Sequence, residues 1–162
     1  MSEKYAGSEI LLMAVEIEKK GYAFYDGVLK AEKDPKVKEV FQYLADEEIK
    51  HEKLFRSMLS DWETKTEDNP YDDTEMILYF KSLVDTKIFP DQEEGASMKD
   101  LTVSPEAAIH VALSFEKDAI LYFHEMYKIT HESERKAVEN IIDEEREHIK
   151  RILQLKADLN IT

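Results

Sequence analysis

The sequence predicts an all-α protein, a four-helix bundle built from two repeated helix pairs joined by a long crossover. Three observations predict it. Helix breakers are scarce, with four Gly and four Pro in 162 residues, whereas Glu, Lys, Leu, Ala and Ile, which favour long helices, are plentiful. In four separate segments the apolar residues recur at alternating steps of three and four, the spacing of one stripe along a helix. The hexamer DEEIKH, Asp46 to His51, returns 97 positions later as DEEREH, Asp143 to His148.

The first helix is expected over about 8–31, with Ser8 as a candidate cap and a stripe of Leu11, Ala14, Glu18, Gly21, Tyr25 and Val28. The second, about 35–63, carries Val37, Phe41, Leu44, Glu48, His51, Phe55, Met58 and Trp62. Pro35 suits its first position, where a missing N–H costs nothing, and Asp34 suits the cap. A crossover of about 64–103 follows, holding the loop-like TKTEDNP, a short helix from Asp73 to Val84, and FPDQEEGAS. Its length joins the flanking helices in parallel, and a connection that long calls for some structure of its own.

The third bundle helix, about 105–129, starts at Ser104-Pro105-Glu106 and lines up Ile109, Ala112, Glu116, Ala119, Phe123 and Met126. The fourth, about 133–159, has Ser133 as a candidate cap and a stripe of Val138, Ile141, Glu145, His148, Ile152, Leu155 and Leu159. AVEIEKKGYAFY (Ala14 to Tyr25) aligns with ALSFEKDAILYF (Ala112 to Phe123), which sets Glu18 on Glu116 and Gly21 on Ala119. Residues 1–162 are therefore expected to form one domain of two like halves.

Composition excludes several function classes. The chain carries 36 acidic against 22 basic residues, a net charge of −14, which disfavours nucleic acid and anionic membrane as partners. It has no Cys, so disulfides, thiolate catalysis and Cys-ligated metal centres are ruled out. No apolar h-region follows the start MSEKYAGSEI, and no apolar run approaches a membrane span. A cytoplasmic location is expected.

Each predicted stripe is apolar apart from a Glu, joined on two of them by a His. A buried carboxylate left unpaired costs several kcal/mol, and four of them would rival the whole stability of a domain, about 5–15 kcal/mol. No Lys or Arg lies on any of the four stripes. Two divalent cations would balance four carboxylates. One Glu from each of two helices and Glu-x-x-His from each of the other two is the ligand set of di-iron and di-manganese carboxylate bundles. In that arrangement Glu18 and His51 would hold one metal, Glu116 and His148 the other, and Glu48 and Glu145 would bridge them. Carboxylate and imidazole suit iron, with manganese or a mixed pair as the alternative.

Neighbouring residues take lesser expectations. Asp46 and Asp143 either hydrogen-bond a ligand His or belong to a solvated acidic face. Glu47 and Glu144 are expected to be solvent-exposed. Tyr25, two turns from Glu18, is expected to hydrogen-bond a ligand carboxylate. His110, His124 and His131 have no partner on a stripe and read as ordinary surface or boundary residues.

AVEIEKKGYAFY, LADEEIKHEKLF, ALSFEKDAILYF and IIDEEREHIKRI together resemble the rubrerythrin-like branch of the ferritin-like di-iron carboxylate proteins, over about residues 8–158 outside the crossover. The resemblance implies a ferritin-like four-helix bundle, a homodimer or larger oligomer, and oxidation of ferrous iron by dioxygen or peroxide at a paired site. Glu18, Glu48, His51, Glu116, Glu145 and His148 match that family's ligand positions, and Tyr25 matches a tyrosine that hydrogen-bonds near the cluster. Two departures stand out. Without cysteine the chain has no rubredoxin module, so electrons are expected from a separate donor protein or from free iron. Ala119 stands where rubrerythrins carry an extra Glu, which leaves a more symmetric set of six, and Phe123 stands opposite Tyr25 in the repeat. The expected function is a di-iron oxidoreductase. Iron oxidation and storage, a di-manganese catalase-like enzyme and a non-catalytic helical module are the competing readings.

Overall fold

The computed structural model describes residues 5–64, 74–84 and 104–162. Among them are five helices and no strand: α1 (Tyr5–Ala31), α2 (Pro35–Thr64), α3 (Thr74–Val84), α4 (Pro105–Ile129) and α5 (Glu132–Asp158). The side chain of Trp62 and the crossover segments 65–73 and 85–103 lie outside the described residues.

Short links make helical neighbours antiparallel. Three residues join α1 to α2 and two join α4 to α5, so each repeat folds back on itself and packs lengthwise. The two hairpins then meet through α1 against α4 and α2 against α5, while α3 lies across α1 and α4. Phe80 is the buried anchor of α3, set edge-on to Tyr122 with centroids 5.2 Å apart. Tyr122 in turn donates to the carbonyl of Ile10 at 2.7 Å, tying α4 to α1.

The helix ends follow local chemistry. The Asp34 carboxylate accepts from the amides of Lys36 at 2.8 Å and Val37 at 3.3 Å, capping α2 ahead of Pro35. Ser104 accepts from the Ala107 amide at 3.1 Å, with Pro105 in the first turn of α4. Two expected caps are different in the structure. Ser8 lies inside α1, which begins at Tyr5, and α5 begins at Glu132 with His131, not Ser133, accepting at its start. The His131 ring nitrogen takes the Ser133 amide at 3.3 Å, a role the usual cap preferences for Ser, Thr, Asp and Asn do not anticipate.

The stripes form the core. Val37, Phe41, Leu44, Phe55 and Met58 of α2 are buried, as are Val138, Ile141, Ile152 and Leu155 of α5. Aromatic rings pack about the acidic level: Tyr25 meets Phe41 at 5.6 Å and Phe115 at 6.1 Å, both edge-on, and Phe55 meets Phe123 at 5.1 Å. No described helix is long and apolar enough to cross a membrane.

Candidate metal centre

All four bundle helices bring acid to one level of the core. α1 delivers Glu18, α4 delivers Glu116, and α2 and α5 each deliver a Glu and a His one turn apart on the same face. Glu18, Glu48, His51, Glu116, Glu145 and His148 are all buried, none more than 2% exposed. The six residues singled out in the sequence thus come together in space.

Glu145 lies between the two imidazoles. Its Oε1 is 2.9 Å from Nδ1 of His51 and its Oε2 is 2.9 Å from Nδ1 of His148. Nδ1 of His51 also faces Glu18 at 3.6 Å, and Nδ1 of His148 faces Glu116 at 3.4 Å and Glu48 at 4.0 Å. The rings stack with centroids 5.6 Å apart and planes 18° from parallel. These approaches are close but poorly aligned. Both oxygens of Glu18, Glu48 and Glu145, together with Nδ1 of His51, are buried without a hydrogen-bond partner among the described residues.

Unsatisfied carboxylate oxygens at this depth are costly, and the protons respond. Burial raises the Glu18 and Glu48 carboxyls well above the usual range, and burial with the nearby Glu145 charge raises Glu116 to about 8. Burial acts to lower both histidines, but the surrounding carboxylates outweigh it and lift His51 to about 9 and His148 to about 11. Glu145 goes the other way. Burial pushes it up, but its contacts with Glu116, His148 and His51 hold it below the usual range.

The residues fit a pair of cations. Glu18, Glu48, His51 and Glu145 offer one group of ligand atoms, and Glu48, Glu116, Glu145 and His148 a second, with the atoms of each group within 4.8 Å of one another. Glu48 and Glu145 belong to both groups. Oxygen and imidazole nitrogen together are a donor set for iron, manganese or zinc rather than for a thiophilic metal.

Around the cluster, Tyr25 donates its hydroxyl to Oε1 of Glu116, as expected from its place on the stripe. Burial, then the charge of Glu116, raises the phenol well above its normal value, so Tyr25 keeps its proton. Asp46 and Asp143 do not reach a histidine. Asp46 accepts from Gln42 at 3.0 Å and Asp143 from Arg146, both on the surface, because a residue two before the inward Glu points away from the core. The expectation of solvent exposure fails for Glu47, which is buried at 9% exposure. Glu144 is exposed as expected, yet its half-exposed side chain sets Oε2 2.8 Å from Nε2 of His51. The repeat held a clue: where DEEIKH has Lys50, DEEREH has Glu147. Lys50 captures Glu47 one turn away. Glu147 cannot capture Glu144, which stretches across to His51.

His124 and His110 are exposed, and His131 serves as the α5 cap. The close approach of Phe115 and Glu48 to Gly21 was not read from the sequence. A side-chain carbon there would lie 2.6 Å from the Phe115 ring and 2.8 Å from Glu48 Oε2.

No curated protein matches the chain. Among solved structures it is similar to a Thermotoga maritima protein described as a ferritin-like diiron-carboxylate protein, with 25% identity, a TM-score of 0.68, and 94% of this chain and 95% of that one covered. The rubrerythrin family model matches residues 9–156, a span that holds every residue of the buried cluster. With the helices, the twofold acidic repeat and this match in hand, the chain belongs to the rubrerythrin family.

Proposed function

We propose that this chain is a di-iron oxidoreductase that reduces peroxide or dioxygen with electrons from an outside donor. The observation that carries the reading is the set of six carboxylate oxygens on Glu18, Glu48 and Glu145, all buried and all without a hydrogen-bond partner, beside two histidines. An apolar core tolerates such a group when cations complete it. Glu18 and His51 would hold one ion, Glu116 and His148 the other, and Glu48 and Glu145 both. Bound there, iron supplies one-electron redox chemistry at two adjacent positions. For peroxide the net conversion takes two electrons and two protons and releases two waters.

The protein's own part is positioning and exclusion. Tyr25 fixes Glu116 by donating to one of its oxygens, which leaves the other turned toward His148. Glu144 fixes the His51 ring by accepting a hydrogen bond from its Nε2–H, so that Nδ1 faces the cluster. Phe41, Phe55, Phe115 and Phe123 keep bulk water from the level above and below. Phe123 lacks a hydroxyl, so no donor mirrors Tyr25 on Glu18, and the two halves of the site are chemically unequal.

The test is elemental analysis and turnover together. Purified protein should carry about two irons per chain, Glu48→Ala should lose most of them, and the ferrous form should consume peroxide repeatedly when a reductant is supplied. Retention of iron as a growing mineral without turnover would favour storage. Peroxide disproportionation by a manganese-loaded form alone would favour the catalase-like reading. No stoichiometric metal in either protein would overturn all three.

A further inference from the structure

The repeat is broken at one point, and the break leaves a second group of metal-ligating side chains just outside the cluster. Glu47, His51 and His148 offer ligand atoms within 4.8 Å of one another, and all three residues are buried. Glu144 occupies Nε2 of His51, but Nε2 of His148 is buried with no hydrogen-bond partner among the described residues. By the repeat its partner should be Glu47, the counterpart of Glu144. Lys50 holds Glu47 instead, through an ammonium on a side chain that is 67% exposed. A carboxylate, an unpartnered buried imidazole nitrogen and a displaceable cation thus meet at one spot.

We propose that Glu47 and Nε2 of His148 form an outer cation site beside His51, closed by Lys50, at which a divalent cation is captured before it passes to the inner pair. It rests on the inner-cluster reading above. An incoming dication carries twice the charge of the Lys50 ammonium and can bind Glu47 and an imidazole together, whereas the ammonium can only donate hydrogen bonds to the carboxylate. A neutral imidazole has one lone pair. A ring that binds outward through Nε2 cannot also bind inward through Nδ1, so the outer and inner positions are filled in turn and not together. The break lies on one side only, because Glu147 replaces Lys50 in the second half and Glu144 is already spent on His51. Entry is therefore assigned to the His148 side.

Metal-free protein mixed with Co²⁺ in a stopped-flow absorbance experiment tests this. Glu47→Gln, which keeps size and shape, should slow uptake about tenfold, the lower end of what loss of a supporting carboxylate does at metal sites, while the final count stays at two Co²⁺ per chain. Lys50→Ala, on the exposed side, should speed uptake. Native rates in both variants would overturn the outer site. So would a Glu47→Gln protein that loads at the native rate but holds its ions about tenfold more weakly, since Glu47 would then only orient His148. If native protein itself takes up no Co²⁺, the inner-cluster reading fails, and the outer site fails with it.

Discussion

Glu144 of α5 crosses to α2 and sets its Oε2 2.8 Å from Nε2 of His51. The contact links the two halves of the repeat at the level of the cluster, and it belongs to the residue next to the inward Glu, not to the Asp beside it. A carboxylate on the far nitrogen of an imidazole fixes the ring and makes the near nitrogen a better ligand.

Glu144→Gln should therefore weaken metal binding about 10- to 100-fold, with the helical fold kept. Asp143→Asn and Asp46→Asn, whose carboxylates bond to Arg146 and Gln42 on the surface, should bind as the native chain does. Isothermal titration of metal-free protein with Mn²⁺ or Co²⁺ would measure all three. Equal loss in Asp143→Asn would mean that the acidic surface, not the His51 contact, governs affinity.

The metal-free chain should become less stable as pH rises. Glu116 is raised to about 8 in the fold and Glu18 and Glu48 are raised as well, so above about pH 4.5 the folded chain holds protons that the unfolded chain has shed. His51 and His148, raised to about 9 and about 11, extend the same imbalance above their unfolded value of about 6.5. Glu145 opposes it, but only in acid: its lowered value contributes stability above about pH 4.5 that is lost as pH falls. Stability follows unfolded minus folded protons, so it should decline from about pH 5 to about pH 11. Melting temperatures of the metal-free protein at pH 5.5 and 8.5 check this. With metal bound the decline should flatten or reverse, because the ligands bind without their protons. A metal-free protein that melts higher at pH 8.5 would contradict these raised carboxyl and imidazole values.

Tyr25→Phe should keep the aromatic packing against Phe41 and Phe115 but leave Oε1 of Glu116 without its donor. The cost should be about 1–3 kcal/mol in the metal-free form, the price of a buried acceptor left unmet. Urea denaturation of native and variant protein measures it. A loss near zero would mean that Glu116 finds another donor.

Much of the bundle and the inner cluster could be read from the sequence, for one physical reason. A stripe at helical spacing must be buried, and a Glu or His on such a stripe is buried with it. Glu18, Glu48, His51, Glu116, Glu145 and His148 stand out as charges where the pattern demands oil. The surrounding contacts could not be read this way, because Glu47 and Glu144 sit beside the stripe. Whether such a residue turns to solvent or to its neighbour depends on what lies one turn along its own helix, Lys50 in one case and Glu147 in the other. The α5 cap escaped for a similar reason, since an imidazole nitrogen did what a hydroxyl usually does.

Two glycines of α1, Gly21 and Gly27, give a last, opposed pair of predictions. Gly21 aligns with Ala119, which suggests that a methyl should be tolerated, but the two positions face different neighbours. At Gly21 a methyl carbon would meet Phe115 at 2.6 Å and Glu48 Oε2 at 2.8 Å, both far below van der Waals contact, and Phe115 is locked edge-on against Tyr25. Gly21→Ala should destabilise by about 1–3 kcal/mol, as overpacking does, and should reduce metal content by moving Glu48. Gly27 has nothing within 4 Å of the same added carbon and lies within the helix at negative φ. Gly27→Ala should stabilise by about 0.5–1 kcal/mol through helix propensity and the unfolded chain's lost freedom, with metal content unchanged. Thermal melts and elemental analysis of both variants separate the two effects. If Gly21→Ala melted and loaded like Gly27→Ala, the close approach of Phe115 and Glu48 to α1 would not be what makes glycine necessary there.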